Sequence, residues 1–197
     1  MSAALCADAK SVLDFWFGAP ESDGYGQTRK AWFTKDEAFD RQIRACFGSL
    51  IEQALRGEHE GWADDAHAAL AQIIVLDQFT RNAFRGTARA FAGDARALAA
   101  ASRLVGSRQD EELPPFMRPF AYLPYEHAEG LAMQDESVRL FTRLVAGSGD
   151  PQRLVDYALR HRAIVERFGR FPHRNDILGR QSTAEEIEFL RTPGSGF

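Results

Sequence analysis

The chain has 197 residues, of which 45% are hydrophobic and 26% charged, and a net charge of −4. That profile fits an ordinary globular protein with a substantial core, and it argues against broad nucleic-acid binding, which needs excess Lys and Arg at the phosphates. No apolar run approaches a membrane span, since the longest, Ile73-Ile74-Val75-Leu76, has four residues. In chain order, Asp8 is placed to cap a first helix carrying Val12, Leu13, Phe15, Trp16 and Phe17, stopped by Gly18-Ala19-Pro20. Trp32 and Phe33 follow a polar loop as an aromatic anchor. Thr34-x-x-Glu37 reads as a capping box that opens a long helix, with Phe39, Ile43, Phe47, Leu50, Ala54 and Leu55 on one stripe and Gly57 at its end. Asp64 or Asp65 starts a helix that is apolar nearly all round from Ala66 to Leu76, so it should be buried.

Gly93-Asp94 opens the next helix, which runs to Gly106, and four prolines at 114, 115, 119 and 124 then allow only short helical turns. Tyr122 to Glu129 reads as the start of a helix with Pro124 at its first position, kinked near Gly130 and continuing to Gly147. Asp150-Pro151 predicts the cap and first residue of a helix that reaches Phe168, where Gly169 ends it. Ser182 or Thr183, with Glu185 and Glu186, starts a last short helix. No segment alternates with period two for long enough to be a strand. The expectation is an all-α fold, a single domain over residues 1–197, built of antiparallel helix pairs joined by short loops.

The two asparagines of the chain both stand in the pattern Arg-Asn-x-x-x-Gly, at Arg81-Asn82 with Gly86 and at Arg174-Asn175 with Gly179. Asn is a good N-cap and Gly the best residue just past a helix, so one reading is a single helical turn capped at both ends. Phe79 and Phe171 would plug the core beside it, and Pro172 would fix the second corner. The functional reading adds charge. From Arg160 to Arg180 there are six arginines and two histidines, opposed only by Glu166 and Asp176. Arg81, Asn82, Arg85, Arg170, Arg174 and Asn175 are therefore the candidate ligand-binding residues, and a carboxylate or phosphate is the natural guest. The competing guest is internal, with Asp77, Glu126 and Glu129 forming buried pairs with the arginines.

Glu126-His127-x-Glu129 is a second constellation. Glu126 with His127 or His173 could do general acid–base work, and Glu126 and Glu129 are expected to share a helix face. No two of the five histidines lie within four residues of each other, and H-E-x-x-H is absent, so no metal is expected. No G-x-S-x-G nucleophile motif occurs, and with no P-loop or G-x-G-x-x-G no cofactor is expected either. Cys6 and Cys46 make no disulfide framework, and Met1–Lys10 lacks the regions of a signal peptide, which points to the cytoplasm.

Several longer stretches carry a resemblance. They are Val12-Leu13-Asp14-Phe15-Trp16-Phe17-Gly18, Trp32-Phe33 with Phe39-Asp40, Leu76 through Asn82, Arg85 through Phe91, Tyr122 through His127, and Arg167 through Arg180. Together, and in this order, they resemble the bacterial family called domain of unknown function 924 over nearly the whole chain. Thr80 departs from that family's Gln-Phe-Pro-Arg-Asn pattern, which loosens the first corner but keeps Arg81 and Asn82. The resemblance implies an all-helical fold similar to tetratricopeptide-repeat proteins and implies no established reaction or site residue. A 34-residue repeat signature is not evident in the chain itself.

Two functions follow from these residues. The first is a binding protein whose arginine cluster holds a small anion or an acidic peptide. The second is an enzyme for a small anionic substrate, with Arg81, Arg170 and Arg174 holding it while His127 or His173 and Glu126 move protons. A plainer role, fixing the fold and a dimer, stays open, as does the oligomeric state. Both functional readings expect Arg81 and Arg174 to face one pocket.

Overall fold

A computed structural model describes residues 7–148 and 152–196, and every regular element among them is a helix. The all-α expectation holds. The chain groups into two compact units, one formed by residues up to Arg85 with Arg89–Pro124, the other by Gly86–Ala88 with the residues from Tyr125 onward.

The first unit contains α1 (Ala7–Phe17), α2 (Glu37–Arg56), α3 (Ala66–Ile73), α4 (Thr80–Ala83) and α5 (Asp94–Gly106). Asp8 stands inside the first turn of α1 and is not its cap. Asp36, not Thr34, caps α2, because the helix begins at Glu37 and the short Asp36 side chain reaches the Ala38 and Phe39 N–H groups at 2.9 and 3.1 Å. Thr34 donates instead to the Lys30 carbonyl. Asp65 caps α3 through the Ala68 N–H at 2.9 Å.

The apolar run from Ala66 is buried as its composition requires, but its winding changes. Ile74–Phe79 form a π-helix, all six residues buried, which passes directly into α4. Thr80 is therefore no corner; its hydroxyl donates to the Leu76 carbonyl at 2.7 Å inside a continuous helical run. The start of α5 lies against this segment so closely that a Cβ on Gly93 would sit 2.0 Å from the Leu76 carbonyl oxygen. Towards α1 and α2 the segment packs through aromatic rings: Phe79 meets Phe15 and Trp16 of α1 and Phe47 of α2 with ring centroids 5.8, 5.7 and 4.8 Å apart. Each buried ring of this kind contributes about 1.5–3 kcal/mol.

α6 (Arg118–Glu126) carries Pro124 within it and ends at Glu126. The continuous helix expected from Tyr122 to Gly147 is thus two helices, the second being α7 (Leu131–Ser148). The break is stable because Gln134 supplies the last carbonyls of α6 with a donor: its Nε2 reaches the Glu126 and Ala128 oxygens at 2.7 Å each and that of Tyr125 at 3.3 Å. α8 (Arg153–Phe168) ends at Gly169 with φ +68°. Asp150 and Pro151, expected to start it, lie outside the described residues. Only a short connection separates α7 from α8, yet Asp135 in the first half of α7 pairs with Arg162 in the second half of α8 at 2.6 Å, so the two helices run antiparallel. α8 buries one stripe, Val155, Ala158, His161, Ile164 and Val165, and leaves Tyr157 and Leu159 exposed, so it is less enclosed than expected. Thr183 and Glu186 form the reciprocal cap of α9 (Ala184–Leu190). No helix of the described residues is long and apolar enough to cross a membrane.

Candidate functional site

The first Arg-Asn motif is an internal ion-pair network. Arg81 lies 2.8 and 3.1 Å from the two Asp94 oxygens and 3.0 Å from Asp77, which is fully buried. Arg85 grips Asp40 through two hydrogen bonds at 2.8 and 3.1 Å. Asn82 does not cap a turn. It sits inside α4, donates to the Gln78 carbonyl at 2.9 Å and accepts from Arg85 at 2.6 Å. The helix that arrives from Ala66 has not ended at this point, so there are no orphan N–H groups for Asn82 to cap. Gly86 does close the turn, with φ +79°. The internal guest foreseen for Arg81, Asp77, is in place, joined by Asp94 from α5.

The second motif is also tied internally. Arg170 binds Glu186 through two bonds of 2.7 and 2.8 Å and the Gln181 carbonyl at 2.9 Å. That hydrogen bonding holds the buried Glu186 carboxyl down at about 2. Arg180 clamps Glu129 at 2.6 and 2.9 Å, and Glu129 also accepts from the Phe171 N–H at 2.8 Å. Burial works against the Glu129 charge, but these donors outweigh it and hold the carboxyl below the usual range. Asn175 again is no N-cap; it follows the short turn Pro172–Arg174, and its side chain accepts from Arg180 Nε and donates to Ser182 Oγ, both at 3.0 Å, which staples the loop shut from within. Gly179, with φ +64°, closes the loop as expected.

Arg174 has a different setting. It is 6% exposed, and its guanidinium stacks over the ring of the fully buried Phe171 at 4.5 Å. Two imidazoles share that ring as a neighbour, His161 at 5.6 Å and His173 at 5.7 Å between centroids. His127 lies 6.4 Å from His161, and Glu126 Oε1 approaches His161 Nδ1 at 3.5 Å. Four residues singled out in the sequence, Glu126, His127, His173 and Arg174, are thus brought together within the second unit. Glu126 and Glu129 do not share a helix face, because α6 ends between them.

Burial is the main reason that the His161 ring is pushed down to about 3, with the charge of Arg174 and the other two imidazoles adding to it against the pull of the Tyr157 carbonyl. His173 is lowered to about 4 by burial and Arg174, with Glu129 opposing. Both rings are neutral at pH 7, so the Glu126–His161 approach is a polar contact and not an ion pair. His161 Nδ1 lies 2.9 Å from the Tyr157 carbonyl, which can only accept, so Nδ1 carries the proton and Nε2 the lone pair.

His161 was not among the candidates, although a histidine on the apolar stripe Val155-Ala158-Ile164-Val165 is visible as a break in its periodicity. Asp40, Asp94 and Glu186 were missed as arginine partners because they lie 45, 13 and 16 residues from them. Among the described residues no group of three or more His, Cys, Asp or Glu is placed to hold a metal ion. A surface depression of about 520 Å³ is lined by Lys30, Ala31, Thr34, Lys35, Asp36 and Glu37, none of them a residue of either motif.

The chain is similar to a solved structure, the protein of unknown function ATU0120 from Agrobacterium tumefaciens, at 39% identity and a TM-score of 0.82, over 93% of this chain and 96% of that one. Among curated proteins none matches. Residues 12–194 match the family model described as bacterial protein of unknown function (DUF924). Since that match takes in the aromatic core and both Arg-Asn motifs, the chain belongs to this family, the domain of unknown function 924.

Proposed function

We propose that the second unit binds a small anion, a carboxylate or a phosphate, beside Arg174. The observation that carries this is the convergence of Arg174, His161 and His173 on the Phe171 ring. A guanidinium held by stacking offers positive charge from a fixed position, and the neutral imidazoles beside it add no competing charge. The depth of the cluster favours a small molecule over an acidic peptide, since Glu126 and His161 are each only 5% exposed. Asn82 and Arg85, with Arg81, serve the fold in this reading, while Arg170 and Asn175 shape the loop that carries Arg174. The antiparallel α7–α8 pair is the kind of unit from which tetratricopeptide-like stacks are made, and the two cysteines without C-x-x-C fit a cytoplasmic setting. Thermal shift against phosphate, sulfate, acetate and dicarboxylates tests the reading. Stabilisation is expected with the native chain and not with Arg174→Gln, while exposed Arg191→Gln keeps it. An equal shift in Arg174→Gln rejects the site.

A second reading, an enzyme for such an anion, is favoured by one contact. Glu126 beside His161, with Nδ1 bound to the Tyr157 carbonyl, leaves Nε2 as a candidate base. In that case His161 moves the proton, and His127 and His173 flank it.

A further inference from the structure

We infer that residues 192–196, which follow α9, form an opening strap that controls access to the histidine cluster of the second unit. Of the residues gathered there, Glu126, His161 and Arg174 are buried, while His127 and His173 are half-buried. Solvent, and anything carried in it, therefore meets the cluster first at those two rings. The strap lies against one of them: a Cβ on Gly196 would stand 3.8 Å from that of His173. The inference concerns the way in, and it holds whether the guest is an anion, as read for Arg174, or another small molecule.

A local demand turns the chain onto this face. Gly194 has φ +78°, a left-handed conformation that other residues adopt only with strain. Across the turn the Ser195 N–H donates to the Thr192 carbonyl at 3.3 Å. Arg160, the neighbour of His161 on α8, donates to the Gly194 carbonyl at 3.3 Å. Ser195 is buried, and its hydroxyl donates to the Leu190 carbonyl at 3.2 Å. These holding contacts are polar. Thr192-Pro193-Gly194-Ser195-Gly196 contains no large apolar side chain, and every residue of it but Ser195 is exposed. A segment that buries so little apolar surface opens locally at low free energy. Meanwhile α8 stays closed on Val155, Ala158, Ile164 and Val165. Position at the half-buried ring and weak attachment together make the segment a gate, where an apolar anchor would have made it a fixed wall.

The test is modification of the full chain at pH 7 by diethylpyrocarbonate, which attacks neutral imidazoles, with each histidine followed by mass spectrometry of its own peptide. His173 is neutral at that pH. In the native chain it should react, but more slowly than free imidazole. Gly194→Val puts a β-branched residue into the left-handed turn and should detach the strap, and Arg160→Gln removes a donor from α8. His173 should then react about ten-fold faster in Gly194→Val, and faster to a smaller degree in Arg160→Gln. His59 and His67 of the first unit should keep their rates in both. If every histidine speeds up alike in Gly194→Val, the fold has loosened as a whole, and Arg160→Gln decides alone. A selective gain at His173 in either variant supports the strap. No selective gain in either, or a His173 that is inert in the native chain, overturns it. The Arg174 reading then still stands, because stabilisation by an anion is measured separately.

Discussion

Arg174, His161 and His173 show how burial and one fixed charge set the protonation of neighbours. Both histidines have folded values, about 3 and about 4, below the ordinary 6.5. The unfolded chain therefore takes up protons first as the pH falls. Their contribution to stability is complete above about pH 6.5 and is lost progressively towards pH 4, each pKa unit being worth about 1.4 kcal/mol. Urea titrations from pH 8 to 4.5 should show a flat region and then a decline that begins near pH 6.5. His161→Gln should weaken that decline, and a profile unchanged by the substitution would mean the ring is not what titrates. At the first motif the informative residue is Arg81. Removing it leaves Asp77 buried without its cation, so Arg81→Ala should cost about 3–5 kcal/mol in chemical denaturation. Asp77→Asn in the same chain should recover part of that loss.

At the scale of elements, the contact of α5 with the π-helical segment and the closure of the second motif matter most. Gly93→Ala forces a methyl group against the Leu76 backbone, 2.0 Å from its carbonyl oxygen, and neither helix can yield without disturbing the aromatic core. A loss of about 1–3 kcal/mol or more is expected, read as a fall in thermal midpoint, whereas Gly61→Ala, with open space around it, should change little. Asn175→Ala removes the staple between Arg180 and Ser182 from a position 1% exposed. The cost is then that of buried unmet partners, about 1–3 kcal/mol, and not simply the ~1 kcal/mol of a helix cap. Replacement by Asp, which keeps only the acceptor for Arg180, should recover part of it. These elements also show what sequence patterns can reach. Gly57, Gly169 and Gly179 ended or closed their turns as read, because a positive φ is a local demand met by glycine. The two asparagines did not cap, because whether a helix has already begun is decided upstream.

At the scale of the molecule, all three tryptophans, Trp16, Trp32 and Trp62, lie in the first unit, while His127, His161 and His173 lie in the second. Tryptophan emission therefore reports one unit, and acid sensitivity is concentrated in the other. On lowering the pH, helical ellipticity at 222 nm should begin to fall before the emission maximum shifts. Coincident curves would show that the chain responds as one cooperative block. The helical class, the buried run from Ala66, the aromatic core and the meeting of charge with histidine near Arg174 were all legible in the amino-acid sequence. Apolar periodicity, cap chemistry and composition act over a few residues, and the pattern records them directly. Asp77 and Glu129 were legible as internal partners, but which guanidinium each would meet was not, and neither were Asp40, Asp94 and Glu186. Asp40 with Arg85 and Glu129 with Arg180 are joined across 45 and 51 residues. Any of many carboxylates could have served each guanidinium. Only tertiary packing brought Asp94 to Arg81 beside Asp77, Asp40 to Arg85 and Glu129 to Arg180, and set Arg174 on Phe171 among imidazoles.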